Sequence, residues 1–176
     1  AINGNCHAIN CTFTNNQAND YGGAMYRGSA TNCTFKDCFS KSCGGAVSYN
    51  KAINCNFLNC YAYWRGGAIF LTDAIDCSFT NCFSSEGGSM YGGSAFACYF
   101  ESSSAKNGSG GGICEGSAIG CKFIGCTVNN GKGTDMYGGT AIDCDFATNG
   151  TYNVNKNKQK WYYKFEDTFI THIINK

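Results

Sequence analysis

Apolar and polar residues alternate in short bursts along this chain, and the bursts recur at a nearly constant interval. The motif Ala-x-x-Cys-x-Phe occurs seven times, beginning at Ala8, Ala30, Ala52, Ala74, Ala95, Ala118 and Ala141, at intervals of 22, 22, 22, 21, 23 and 23 residues. A fixed period of this size marks a solenoid, in which each unit buries its apolar face only by stacking on its neighbours. Within the first copy Ile9, Cys11 and Phe13 share one face while Asn10 and Thr12 share the other, and the same phase recurs at Ile53/Cys55/Phe57, Ile75/Cys77/Phe79, Ile119/Cys121/Phe123 and Ile142/Cys144/Phe146. Period-2 alternation rich in β-branched and aromatic residues predicts a strand with one buried face. The expected core is therefore a stack of Ile on Ile, of Cys11, Cys33, Cys55, Cys77, Cys98, Cys121 and Cys144, and of Phe13, Phe35, Phe57, Phe79, Phe100, Phe123 and Phe146. With strands about 4.7–4.9 Å apart, seven coils make a rod of roughly 33 Å.

A second landmark lies eight residues before most copies of the motif: Gly22-Gly23-Ala24-Met25, Gly44-Gly45-Ala46-Val47, Gly66-Gly67-Ala68-Ile69, Gly87-Gly88-Ser89-Met90 and Gly110-Gly111-Gly112-Ile113. The last copy has diverged to Gly133-Thr134-Asp135-Met136. Paired glycines permit a tight corner with positive φ, and the apolar residue that follows starts another short strand. The stretch between Phe13 and Gly22 is the most loop-like part of the unit. Two or three short strands per period, with no helical pattern, predict an all-β fold: a right-handed parallel β-helix of about seven 22-residue coils over residues 1–149. Residues 150–176 break the period and carry a net charge of +3, which leaves −2 on the repeats. Trp161, Tyr163 and Phe165 alternate there, so the segment is expected to cap the last coil or to dock on another subunit.

Lys+Arg 13 against Asp+Glu 12 gives a net charge of +1, without the basic face that nucleic-acid binding needs. No apolar run approaches the length of a membrane-spanning helix. The chain opens at Ala1 close to a repeat boundary, without an initiator Met or a signal-peptide pattern, which predicts a processed product or a piece of something longer. The 14 cysteines would ordinarily suggest a secreted disulfide scaffold. Seven form the column above; four more, Cys38, Cys60, Cys82 and Cys126, form a second column five residues on, where other coils carry Asn16, Ser103 and Asn149. Bridges at spacing five would leave Cys11, Cys98 and Cys144 unpartnered, so buried free thiols are the simplest account. Disulfides between stacked coils remain open, because the stacking distance lies in the permitted range. No close Cys-x-x-Cys pairs predict a metal site, and no cofactor is implied.

Catalysis on a polysaccharide would need convergent carboxylates and a poised base. Asp76 lies three coils from Asp143 and Asp145, and the arginines are only Arg27 and Arg65, so no catalytic residue is predicted. Asp143 and Asp145 could hold Ca²⁺ weakly, although a solvated pair is the plainer reading. Arg65, beside Tyr63 and Trp64, is a candidate for holding a sugar by stacking and hydrogen bonding, against the plainer reading of a solvated corner. The outward column is too irregular for an ice-binding face. Asn-x-Ser/Thr sequons stand at Asn10, Asn32, Asn107 and Asn149 as candidate glycosylation sites in a secreted protein.

The pairing of Gly-Gly-Ala-apolar (Gly22-Gly23-Ala24-Met25) with Phe-x-x-Asn (Phe13-Thr14-Asn15-Asn16 and Phe146-Ala147-Thr148-Asn149) resembles the repeats of polymorphic outer-membrane proteins. The Cys-bearing Ala-Ile-Asn-Cys-Thr-Phe form is closer to the adhesin-like surface proteins of methanogenic archaea. The resemblance covers residues 1–149 and departs from the pattern at Cys38, Cys60, Cys82 and Cys126, where Asn is usual. It implies a right-handed β-helix displayed outside the cell, no catalytic residues, an anoxic habitat that suits free thiols, and partners among surface proteins, glycans or other copies of itself. The expected function is structural or adhesive. Alternatives are a subunit of a filament joined head to tail through the C-terminal segment, and a polysaccharide-binding or polysaccharide-cleaving β-helix.

Overall fold

The computed structural model describes residues 2–146 and 152–153. The described residues form short strands and turns, and all strand pairings are parallel, each coil stacking on the next with the 21–23-residue offset of the sequence motif. The result is a parallel β-solenoid of about seven turns. Seven strands, from Thr12–Thr14 through Asn56–Leu58 to Asp145–Phe146, make one side of the rod. Six strands, from Gln17–Ala18 through Tyr61–Ala62 to Thr127–Val128, make a second. The third sheet wraps a corner. Its long strands Met25–Thr31 and Val47–Ile53 each split, in later coils, into two pieces such as Ile69–Phe70 and Asp73–Ile75. Tyr152–Asn153, after the end of the motif copies, adds to this sheet beside Met136–Tyr137.

Corners fall at a regular spacing because particular residues adopt left-handed backbone. In the fourth coil these are Gly66 (φ 62°), Leu71 (φ 46°), Asp76 (φ 51°) and Asn81 (φ 53°), each five residues after the last. Asn and Asp tolerate this conformation better than other side chains, so the Asn10/Asn32/Asn54/Asp76 column marks a corner.

That corner overturns one expectation. Ile9 is 61% exposed, and the Ile residues at the same position in later coils are only half-buried, whereas Ala30, Ala52, Ala74, Ala95 and Ala118 are buried. A left-handed residue between Ile and Cys reverses the alternation, so Ala faces inward before the corner, and Cys and Phe face inward after it. The core is thus a set of Ala, Cys and Phe columns, with Met25, Val47, Ile69, Met90, Ile113 and Met136 closing the Gly-Gly side. The phenylalanine column lies where expected. Successive rings from Phe13 to Phe146 stack with centroids 4.8–5.1 Å apart and nearly parallel planes. Its end members Phe13 and Phe146 are half-buried, Cys11 is exposed and Cys144 half-buried, while the members between are buried.

All fourteen cysteines are free thiols. Their placement has a hydrogen-bonding reason. Just after the left-handed corners at Asn32, Asn54 and Ala97, the cysteine N–H is accepted by the thiol one coil on: Cys33 N–H by Cys55 Sγ, Cys55 N–H by Cys77 Sγ and Cys98 N–H by Cys121 Sγ, each at 3.4 Å. Each thiol in turn donates to carbonyls, as Cys77 Sγ does to Ile75 O at 3.3 Å. A small group that is both donor and acceptor satisfies buried backbone where an aliphatic side chain would not. The same logic explains the mixed second column, since Ser103 Oγ accepts Cys82 N–H at 3.3 Å in place of a thiol. Burial raises Cys126 and Cys114 to about 12 and also pushes the Cys60 thiol well above its ordinary value, so these thiols stay protonated at neutral pH.

Candidate functional site

Coil length varies on one side only. Between the last Asn-type corner and the next Gly-Gly corner the step is seven residues from Asn59 to Gly66, six from Asn81 to Gly87 and eight from Ser102 to Gly110. The other three steps of these coils are all five. A short coil between two longer ones leaves a recess, and a groove of about 340 Å³ lies there. Phe83 and Ser85 of the short coil form its floor, Tyr61, Tyr63 and Trp64 one wall, and Lys106 and Asn107 the other.

The aromatic wall grows out of a sheet face. The residue after the second cysteine column points outward, and in three consecutive coils it is aromatic: Phe39, Tyr61 and Phe83 stack at 5.1 and 5.2 Å. Tyr63 packs edge-on against Phe39 and Tyr61. Beyond it Tyr63 is 52% and Trp64 64% exposed. Both stand on fixed backbone, with Tyr63 N–H donating to Ser40 O, Trp64 N–H to Ser42 O and Glu86 N–H to Trp64 O. The facing wall is fixed the same way, through Lys106 N–H to Ser84 O and Gly108 N–H to Ser85 O. The aromatic column was legible in the sequence, as Cys38-Phe39, Cys60-Tyr61 and Cys82-Phe83, yet reading the strands for their inward face passes over it.

Arg65 does not join this groove. Its guanidinium donates to Glu86 Oε2 at 2.9 Å and lies 4.6 Å from the centre of the Tyr91 ring. The hydrogen bond to Glu86 raises its pKa further. A second aromatic group, Tyr21, Tyr26, Tyr49 and Phe70, is joined by ring contacts of 5.5–5.9 Å and continues through Phe70 to Tyr91 at 5.8 Å. Asp145 faces Lys122 at 3.6 Å, and Asp143 occupies a left-handed corner. Among the sequons, Asn10 is exposed at a corner, Asn32 Oδ1 accepts from Asn54 Nδ2, and Asn107 lines the groove. Asn149, Trp161, Tyr163 and Phe165 lie outside the described residues. No group of three or more His, Cys, Asp or Glu side chains with metal-binding geometry occurs among the described residues, and no described helix is long and apolar enough to cross a membrane.

The diverged corner carries the most perturbed carboxyl group. Asp135 takes the place that Ala24, Ala46 and Ala68 hold in earlier coils and is 1% exposed, with Oδ2 lacking a hydrogen-bond partner. Burial pushes its pKa up to about 6 from 3.8. A carboxyl whose pKa is raised on folding leaves the fold most stable below the unfolded value and costs stability as pH rises through the folded one. Asp135→Ala is therefore expected to be more stable than the parent chain by up to about 3 kcal/mol at pH 7, since each tenfold change in proton affinity on folding is worth about 1.4 kcal/mol, and to lose that advantage by pH 4. Urea midpoints of the two proteins across pH 4–7 check this; a constant difference refutes it.

In comparison with known proteins, no family model matches the chain and no curated protein matches it in sequence.

Proposed function

We propose that this chain is a non-catalytic, adhesin-like β-solenoid displayed outside the cell, which uses its outward aromatic side to hold glycans on a neighbouring surface. The observation that carries this reading is Trp64 and Tyr63, exposed on backbone pinned by inter-coil hydrogen bonds. Large apolar rings left in water on a rigid frame are what a stacking ligand needs, because little ordering entropy is lost on binding. Sugars suit such rings, since one face of a pyranose is lined by C–H bonds and its edge by hydroxyls. Extracellular display rests on the repeat resemblance, and the burial of eleven of the fourteen thiols would shield them there.

The reading predicts that the purified chain retains oligosaccharides on a glycan array and that Trp64→Ala abolishes retention with the far-ultraviolet spectrum unchanged. A chain that retains no glycan, or a variant that retains them all, refutes it.

A further inference from the structure

The groove between the aromatic wall and Lys106 is open at the surface, so its occupant must be inferred from chemistry. Its volume of about 340 Å³ lies at the small end of ligand sites, which run from about 300 to 1,000 Å³. That suits one or two sugar rings of a chain that enters and leaves by the open ends. One wall is aromatic, with Trp64 and Tyr63 exposed on it. The other brings a cation and an amide, Lys106 and Asn107, and the floor adds the Ser85 hydroxyl.

The balance of charge decides which sugar. Glu86 is the acidic side chain nearest in sequence to the floor, and it is bound to Arg65 at 2.9 Å. No lining residue is acidic, and among the described residues Lys106 has no ion-pair partner. The groove therefore presents one uncompensated positive charge opposite an aromatic wall, two coils away across the short coil that carries Phe83. A neutral sugar would satisfy the aromatic wall and leave the ammonium unused. A uronic-acid ring satisfies both, since its carboxylate projects from the ring edge while its C–H face stays free to stack.

We infer that this groove binds a uronic-acid residue of an acidic polysaccharide, stacked on Trp64 and Tyr63 with its carboxylate on Lys106 and its hydroxyls toward Asn107 and Ser85. The inference rests on the glycan-binding reading above and adds the sign of the ligand's charge. An N-glycan on Asn107 would fill the same space, so the bound and glycosylated forms exclude each other.

The test is titration calorimetry of the whole chain with a glucuronate-containing tetrasaccharide and with the same tetrasaccharide after its carboxylates are reduced to alcohols. The acidic probe is expected to bind at least 10-fold more tightly, and the preference to shrink as salt rises. Lys106→Gln should erase the preference while leaving the weaker binding of the reduced probe, and Trp64→Ala should weaken both probes. Equal binding of the two probes overturns the inference and leaves the adhesive reading standing. Acidic-probe binding that survives in Lys106→Gln overturns it as well. Binding of neither probe also overturns it, and an array that retains no glycan of any kind then removes the parent reading too.

Discussion

Gly67→Ala is expected to unfold the middle of the rod or to destabilise it by more than about 4 kcal/mol, well beyond the range of ordinary single substitutions. The second glycine of each pair lies where two coils come closest. A Cβ on Gly67 would overlap the carbonyl oxygen of Gly88 and stand 2.5 Å from the Phe83 nitrogen. These are backbone atoms held by the inter-coil ladder and cannot yield as a flexible side chain would. The same collision would occur at Gly45, against Gly67 and Tyr61, so the requirement repeats along the rod. Gly120→Ala is the control, because its φ is +60° but nothing lies within 4 Å of the added Cβ. It should cost only the left-handed penalty of about 1–2 kcal/mol. Thermal melts of the two variants separate the explanations: equal losses would mean that corner conformation, and not close approach, explains the paired glycines.

Phe79→Ala should cost about 4 kcal/mol, within the range for a fully buried aromatic. Phe79 is fully buried in mid-column, with Phe57 and Phe100 each 4.8 Å away and 4° from parallel. Removing it breaks two stacked pairs and leaves a void that neighbouring coils can close only by moving against their own ladders. Phe13→Ala should cost less than half as much, since Phe13 is half-buried and stacks on Phe35 alone. A solenoid is held by nearest-neighbour interfaces, so the Phe79 variant should also lose cooperativity, with coils on either side melting separately. Denaturant titration in a Trp161→Phe background, followed by the emission of Trp64 and by far-ultraviolet signal, would show this as two midpoints; coincident midpoints would mean that the rod unfolds as one unit.

Asp135 and the groove show the same local freedom from opposite directions. The Ala column accepts a carboxyl at Asp135 only at the diverged corner, and there it is buried with its Oδ2 lacking a hydrogen-bond partner. The groove arises from a single missing residue between Asn81 and Gly87 followed by an extra one between Ser102 and Gly110. In a repeat fold such departures act locally, since each coil must match only the coils above and below it.

The sequence by itself determined the period, the number of coils, the inward Cys and Phe columns and the Gly-Gly corners. These follow from spacing along the chain, and every coil restates them. It could not determine the direction of Ile9, Ile53 or Ile75, because strict alternation reads the same whether or not a left-handed residue sits in the middle of it. Only the folded backbone shows that Asn10, Asn54 and Asp76 turn the chain there and send the Ile side chains outward. The groove also belongs to the tertiary structure. Trp64, Phe83 and Lys106 are about one coil apart in sequence, and they share a surface because stacking converts a separation of about 21 residues into one inter-strand spacing of about 4.8 Å. The role of the thiols was hidden for the same reason: the N–H that Cys77 accepts belongs to Cys55, a neighbour only once the coils are stacked.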